Sequence, residues 1–251
     1  MKVVVLLSAG LHPVSGRPVL PRIEAQAIAL AQGLERVGAE VCGLHAGPEA
    51  GLPREALGHG LSRLVHRESP AGADPVPALA AALAEAVPDL VLAGRRGEGG
   101  EDTGLVPYLL AETLGLPLVA DLVAIEGLDA APPAARFEQI VSGTTRRRFT
   151  RRLPVLATVH PRAPDPLPFA FARMRRGTVE RLDGAVAETH RDGFEERPYR
   201  PRPKLMRRAG PGASAPSSET VIVDPTPEEA ARLILDHLER LGIRRFGPDG
   251  R

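Results

Sequence analysis

A chain of 251 residues, 43% hydrophobic and 25% charged, can bury one substantial core and carry an appended arm. Its formal net charge of +1 excludes a whole-molecule field that would favour nucleic acid or an anionic membrane. A single cysteine, Cys42, excludes an internal disulfide; in the apolar run Val41-Cys42-Gly43-Leu44 it is expected to be buried and inert in a reducing compartment. Aromatic residues are only 3% of the chain, with no Trp, so aliphatic side chains must build the core. No apolar stretch reaches membrane-spanning length, and His12 and Pro13 end the first apolar run too early for a signal peptide. The expected location is the cytoplasm, without membrane insertion.

Residues 3–7 are a continuous apolar run rich in β-branched residues, as in a strand covered on both faces. Residues 9–21 form a Gly/Pro-containing loop. Residues 23–37 read as a helix with a stripe at Ile23, Ala27, Leu30 and Leu34, stopped by Gly38. A second strand follows at 40–45, a short helix at 53–57 and a third strand at 62–66. Asp74-Pro75 opens the next helix with a carboxylate cap and an early proline, and the Ala-rich stretch 78–87 continues it. Residues 89–93 (Asp-Leu-Val-Leu-Ala) are the next buried strand, and a helix is expected from about Thr103 to Leu114, ending at Gly115.

After Gly115 the pattern changes. Residues 118–125 and 137–141 are strand-like, Ser142-Gly143 suits a turn, and 144–150 alternates back as a hairpin partner. Residues 153–159 are another apolar strand. Residues 161–178, rich in Pro and Arg, show neither a helical nor a strand period, and 183–219 resemble an extended polar tail. Thr226-Pro227-Glu228-Glu229 is a capping box, followed by a stripe of Ala230, Leu233, Ile234, Leu238 and Leu241. The expected fold is α/β: a mostly parallel, doubly wound sheet with an antiparallel hairpin and an extended C-terminal arm ending in a helix. Residues 1–182 would form the α/β domain, and 183–251 an arm whose helix docks either back on that domain or onto another subunit.

In such folds ligands sit beyond the carboxyl ends of the strands. That rule singles out Gly94-Arg95-Arg96-Gly97-Glu98-Gly99-Gly100-Glu101-Asp102-Thr103-Gly104, which joins a buried strand to a helix. Its glycines let backbone N–H groups approach an anion, and the first helical turn adds free donors and the positive end of the helix dipole. Spacing alone is equally compatible with a Gly-rich connection capped by Asp102. Glu101 and Asp102 favour a monophosphate over a multiply charged one. Neither a Walker A ending nor G-x-G-x-x-G occurs.

The seven histidines lack metal-ligand spacing, and His45 is expected to be a partly exposed residue at a strand end rather than a lining of the nucleotide pocket. No G-x-S-x-G elbow exists, so no catalytic residue is assigned. Arg146, Arg147, Arg148, Arg151 and Arg152 read as a solvated hairpin, or a patch facing an acidic partner, rather than a nucleic-acid surface.

Several segments resemble the electron transfer flavoprotein β subunit family, and the likeness covers most of the chain. His45-Ala46-Gly47-Pro48 is similar to that family's second-strand ending. Residues 56–65 (Ala-Leu-Gly-His-Gly-Leu-Ser-Arg-Leu-Val) resemble its Ala-Leu-Ala-Met-Gly-Ala-Asp-Arg segment, and 89–94 its Asp-Leu-Val-Leu-x-Gly strand. Asp102-Thr103-Gly104 falls on its Gln-Thr-Gly, and a Pro-rich loop leads to Met174-Arg175-Arg176 in the family's order. The resemblance implies an electron carrier subunit rather than an enzyme, with an adenine-nucleotide-binding (HUP-like) fold. It implies a buried AMP, contacted by Leu6, Ala46, Gly94, Gly97, Gly99, Gly100, Glu101, Asp102, Thr103 and Gly104. FAD would be held mainly by an α subunit in the heterodimer. A flavoprotein dehydrogenase would be the electron donor and a quinone oxidoreductase of the respiratory chain the acceptor. Loop 161–173 would dock on the donor through Leu167, Phe169 or Phe171.

The first loop reads Ser8-Ala9-Gly10-Leu11-His12-Pro13 where the family has Val-Lys-x-Val-Pro-Asp. Leu20-Pro21-Arg22-Ile23 replaces its Asn-Pro-aromatic-acidic helix start, Glu98-Gly99-Gly100-Glu101 its run of aspartates, and Asn-Glu-Pro-Arg-Tyr is missing from the docking loop. These departures imply a divergent member with an unusual dehydrogenase, and speak against the bifurcating type in which a second FAD replaces AMP. The alternative of another class is a stand-alone adenine-nucleotide-binding regulator similar to universal stress proteins, whose Gly-x2-Gly-x9-Gly-Ser/Thr signature is absent. A hydrolase on the same fold is the third reading, with no base or nucleophile to name.

Overall fold

A computed structural model describes residues 1–12, 15–96, 104–182 and 225–242. The chain divides into two units, Met1–Asp192 and Gly193–Arg251.

The first unit opens with β1 (Lys2–Leu7), a small ribbon of β2 (Gly10–Leu11) and β3 (Pro18–Val19), and α1 (Arg22–Glu35). It continues through β4 (Glu40–Gly47), α2 (Glu55–Gly58), β5 (Arg63–Glu68), α3 (Pro75–Ala86), β6 (Leu90–Gly94) and α4 (Val106–Leu114). The antiparallel part comprises β7 (Leu118–Ala130), β8 (Pro133–Ser142) and β9 (Thr145–Arg152); then come β10 (Val155–Val159), α5 (Phe171–Arg176) and β11 (Thr178–Leu182). One nine-stranded sheet results, in the order β11-β5-β4-β1-β6-β10-β7-β8-β9. Pairing is parallel from β11 across to β7, and β8 and β9 then add antiparallel.

The apolar runs explain this order, because a strand's side chains alternate between faces. Val3, Val5 and Leu7 of β1 point into a cluster with Ala27, Ile28 and Ala31 of α1. Val4 and Leu6 point the other way, into a cluster with Leu79 and Leu83 of α3 and Leu110 of α4. Both faces of β1 are therefore dry, which is why its sequence has no polar alternation. Asp74 caps α3 as expected, accepting the Val76 N–H at 2.9 Å. Gly115, at φ 64°, ends α4 in the left-handed region that glycine tolerates.

Several boundaries differ from the sequence reading. The loop at 9–21 contains the β2–β3 ribbon, and α4 begins at Val106 rather than near Thr103. β7 and β8 run further than expected, with register shifts along their ladder. Residues 161–178, read as irregular, include α5, and β11 begins at their end. α5 has six residues, too few to display a period, and β11 is a strand because it pairs along β5 from Thr178↔Arg63 to Leu182↔Arg67.

In the second unit α6 (Pro227–Arg240) carries the expected capping box: Thr226 N–H donates to Glu229 Oε2 at 3.0 Å, and Glu229 N–H to Thr226 Oγ1 at 3.4 Å. Leu233, Ile234 and Leu241 are exposed. The expected tail at 183–219 lies outside the described residues. No helix among the described residues is long and apolar enough to cross a membrane.

Candidate functional site

The chain winds outward from β1 to β4 and β5, then returns to place β6 on the other side of β1. The crevice beyond the carboxyl ends of β1 and β6 is thus the topological switch point, where open α/β sheets bind ligands. Leu6 is buried there, and Ala46 and Gly94 are half-buried on the flanking strands. A methyl group on Gly94 would stand 2.9 Å from Ile23 Cγ2 and 3.3 Å from Glu24 Cγ, so only glycine lets β6 end this close to α1.

Of the loop assigned to phosphate binding, Gly97, Gly99, Gly100, Glu101, Asp102 and Thr103 lie outside the described residues. Its far end is described: Gly104 has φ 70°, and a Cβ there would stand 3.0 Å from Arg95 O. The loop's two ends therefore meet in a narrow neck at the end of β6.

Two arrangements at this edge were not read from the sequence. Glu24, in the first turn of α1 and 3% exposed, accepts the Ser8 N–H at 2.8 Å and the Ser8 hydroxyl at 2.5 Å. Its charge sits at the helix end that favours an anion, and it fixes the chain as it leaves β1. The signal was a carboxylate three residues after Pro21. Beside it, Asp121 interrupts an apolar strand at φ 57°, donates its N–H to Thr158 Oγ1 at 3.0 Å, and pairs with Arg95 Nε at 3.4 Å. That pair is electrostatic rather than a formed hydrogen bond, since Asp121 Oδ1 has no hydrogen-bond partner. His160 lies in the same field, its Nδ1 accepting the Arg162 N–H at 3.0 Å. Burial holds this imidazole below its ordinary value; Asp121 opposes the shift, and Arg95 and Arg162 add to it.

His45 overturns the expectation of a partly exposed residue: it is 2% exposed. β4 continues to Gly47, which carries His45 into the sheet directly across from His66. The two rings stack at 5.6 Å, His45 Nδ1 donates to Leu7 O at 2.9 Å, and His66 Nε2 donates to Gly47 O at 2.9 Å. Glu49 Oε2 lies 3.3 Å from His66 Nδ1, and Arg181 of β11 grips the same carboxylate at 2.7 Å.

Burial pushes the His45 imidazole below its ordinary 6.5, His66 adds to the shift, and the Leu7 carbonyl opposes it. An unfolded chain would take up this proton near 6.5 while the folded one resists it, so stability falls as pH drops below 6.5 toward the lower folded value. The slope from one such group is at most about 1.4 kcal/mol per pH unit. His160, more exposed, adds a smaller contribution of the same sign. Urea unfolding at pH 7.5 and pH 5.5 should show this loss, and His45→Asn, which keeps a donor toward Leu7, should flatten it. An unchanged slope in that variant would exclude His45 as its source.

Cys42 is buried as expected, and burial raises its thiol against the opposing charge of Arg63. On the hairpin, Arg146 pairs with Glu138, Arg148 with Glu126 at 2.9 Å, and Arg147 lies 5.2 Å over the Phe149 ring. The three docking candidates separate by exposure: Leu167 is half-buried, Phe169 is 46% exposed and Phe171 61%. Among the described residues, no group of three or more His, Cys, Asp or Glu is placed to hold a metal.

Comparison with known proteins agrees with this architecture. The family model for the electron transfer flavoprotein domain matches residues 16–187. A curated relative from Chromohalobacter salexigens, named electron transfer flavoprotein subunit beta, is 39% identical over 252 residues, spanning 94% of this chain and 92% of its own length.

Proposed function

The chain belongs to the electron transfer flavoprotein β-subunit family, and we propose that it holds AMP at the β1–β6 crevice and pairs with an α subunit carrying most of the contacts to FAD. In this reading residues 1–182 are the nucleotide-binding domain and 183–251 the arm and helix that engage the α subunit. The pair accepts electrons from a flavoprotein dehydrogenase and delivers them to a quinone oxidoreductase of the respiratory chain. In this reading the chain is an electron carrier subunit; it binds, orients and docks. The observation that carries the reading is the crevice at the strand-order reversal, bordered by Leu6, Ala46 and Gly94 and by the neck where Arg95 meets Gly104.

The described part of the crevice fits an adenine nucleotide. Small residues at Ala46 and Gly94 leave backbone within reach, and Glu24 is already occupied by Ser8, so its carboxylate does not face a phosphate unpartnered. Phosphate donors would come from the backbone of Gly97, Gly99, Gly100, Glu101 and Asp102, from the Thr103 hydroxyl and from the start of α4. When bound, FAD supplies the redox chemistry; this chain contributes the wall against which the α subunit closes.

Acid release from the co-purified αβ pair should yield about one AMP per β chain, since a single switch-point site is available. The released nucleotides are identified by mass spectrometry. Absence of nucleotide, or a second FAD in place of AMP, would remove the assignment.

A further inference from the structure

Residues 161–176 are irregular over most of their length, yet they are held at successive points. Gln26, buried in α1, donates from Nε2 to Pro161 O at 3.1 Å and Ala163 O at 2.8 Å. His59, immediately after α2, meets Leu167 O through Nδ1 at 2.8 Å; a carbonyl only accepts, so this nitrogen carries the proton. Ala170 donates its N–H to Gly58 O at 3.0 Å.

The loop also fills the space two glycines leave open. A methyl group on Gly60 would stand 3.2 Å from Leu167 Cδ1. One on Gly58 would stand 2.5 Å from Phe169 Cδ2 and closer still to Cε2, where no Cβ fits. The His59 ring meets Phe169 edge-on, with centroids 5.6 Å apart. Behind them, Met174 of α5 packs against the core. Phe171 has no comparable seat and is the most exposed of the loop's large apolar side chains. Arg173, Arg175 and Arg176 lie beside it, and none of them is paired with a carboxylate among the described residues.

We propose that Gly58, His59 and Gly60 are positioning residues for the docking surface: they seat Leu167 and Phe169 against the subunit and thereby set out Phe171 and its arginines as the face presented to an acidic partner protein. The role of that face rests on the docking reading above; the seat does not. Prolines narrow the backbone of residues 161–168 but cannot decide where the segment lies. A carbonyl grip at Leu167 and a ring locked on Gly58 do decide it, and preorganisation of this kind lowers the ordering entropy of a short-lived encounter.

The test is hydrogen exchange by mass spectrometry on the full αβ complex, following the peptide over residues 161–176. Gly58→Ala should accelerate exchange in that peptide at least tenfold while peptides from β1 and β6 are unchanged. Alanine is the better helix former, so weakening of α2 itself would not account for the loss. Combining Gly58→Ala with Phe169→Ala removes the ring the methyl strikes and should return exchange toward that of Phe169→Ala alone. Phe171→Ala should leave loop exchange at the wild-type level. Wild-type exchange in Gly58→Ala, or no interaction between the two substitutions, or a Phe171→Ala loop as fast as Gly58→Ala, would each overturn the proposal. Whether Phe171 docks a donor is measured separately by electron transfer, so the two readings fail independently.

Discussion

Removing residues 183–251 is expected to abolish pairing with the α subunit while leaving the sheet domain folded. Among the described residues, the buried hydrophobic side chains of the core precede residue 164, and the last strand of the sheet ends at Leu182. What the truncation does remove is α6, whose N-terminal end is set by a formed capping box and whose Leu233, Ile234 and Leu241 are exposed. Burying such side chains contributes roughly 1.5–3 kcal/mol each. Losing three from an interface forfeits on the order of 5 kcal/mol, beyond a thousandfold in Kd. Size-exclusion chromatography of co-expressed subunits reads the pairing, and a cooperative thermal transition reads the fold. A truncated chain that co-elutes with α at unchanged affinity would contradict the role assigned to the arm.

Phe171→Ala is expected to slow electron transfer from the donor dehydrogenase to the flavin at least tenfold, equivalent to roughly 1.4 kcal/mol, without altering FAD or AMP content. Transient electron-transfer contacts are small and dominated by a few anchors. Phe171 is 61% exposed at the start of α5, beside guanidinium groups that have no carboxylate partner among the described residues. Those charges steer an acidic surface, so raising ionic strength should slow the wild-type reaction as well. Phe169→Ala should act in the same direction but by a different route, loosening the loop that presents Phe171. If either substitution instead splits the heterodimer and releases its cofactors, that ring belongs to the subunit interface and the anchor lies elsewhere.

The parallel sheet was legible because burial on both faces leaves continuous apolar runs such as residues 3–7 and 90–93. The Asp74 cap and the Thr226–Glu229 box were equally plain, since each needs only local residue types at fixed offsets. What sequence could not display were features created by register. β11 is a strand only because β5 lies beside it, and His45 is buried only because β4 extends to Gly47 and sets it across from His66. The Glu24–Ser8 clamp spans 16 residues, the Arg95–Asp121 pair joins the loop after β6 to β7, and the seat of Phe169 depends on a glycine more than a hundred positions earlier. At the site, Leu6, Ala46, Gly94 and Gly104 do gather at one edge, as the strand-end rule requires. The docking candidates did not sort themselves by sequence, because exposure within an irregular loop is decided by the surface beneath it.

Among the described residues β9 is the outer strand on one side of the sheet, with no neighbour beyond it, and five of its eight residues are arginine. A lone outer strand normally invites a second chain to continue the ladder. Here a second copy laid antiparallel along β9 would bring guanidinium groups opposite guanidinium groups, and like charges in facing positions repel. Pairing of two β chains along this edge is therefore disfavoured, leaving the arginine strand as a guard against self-assembly.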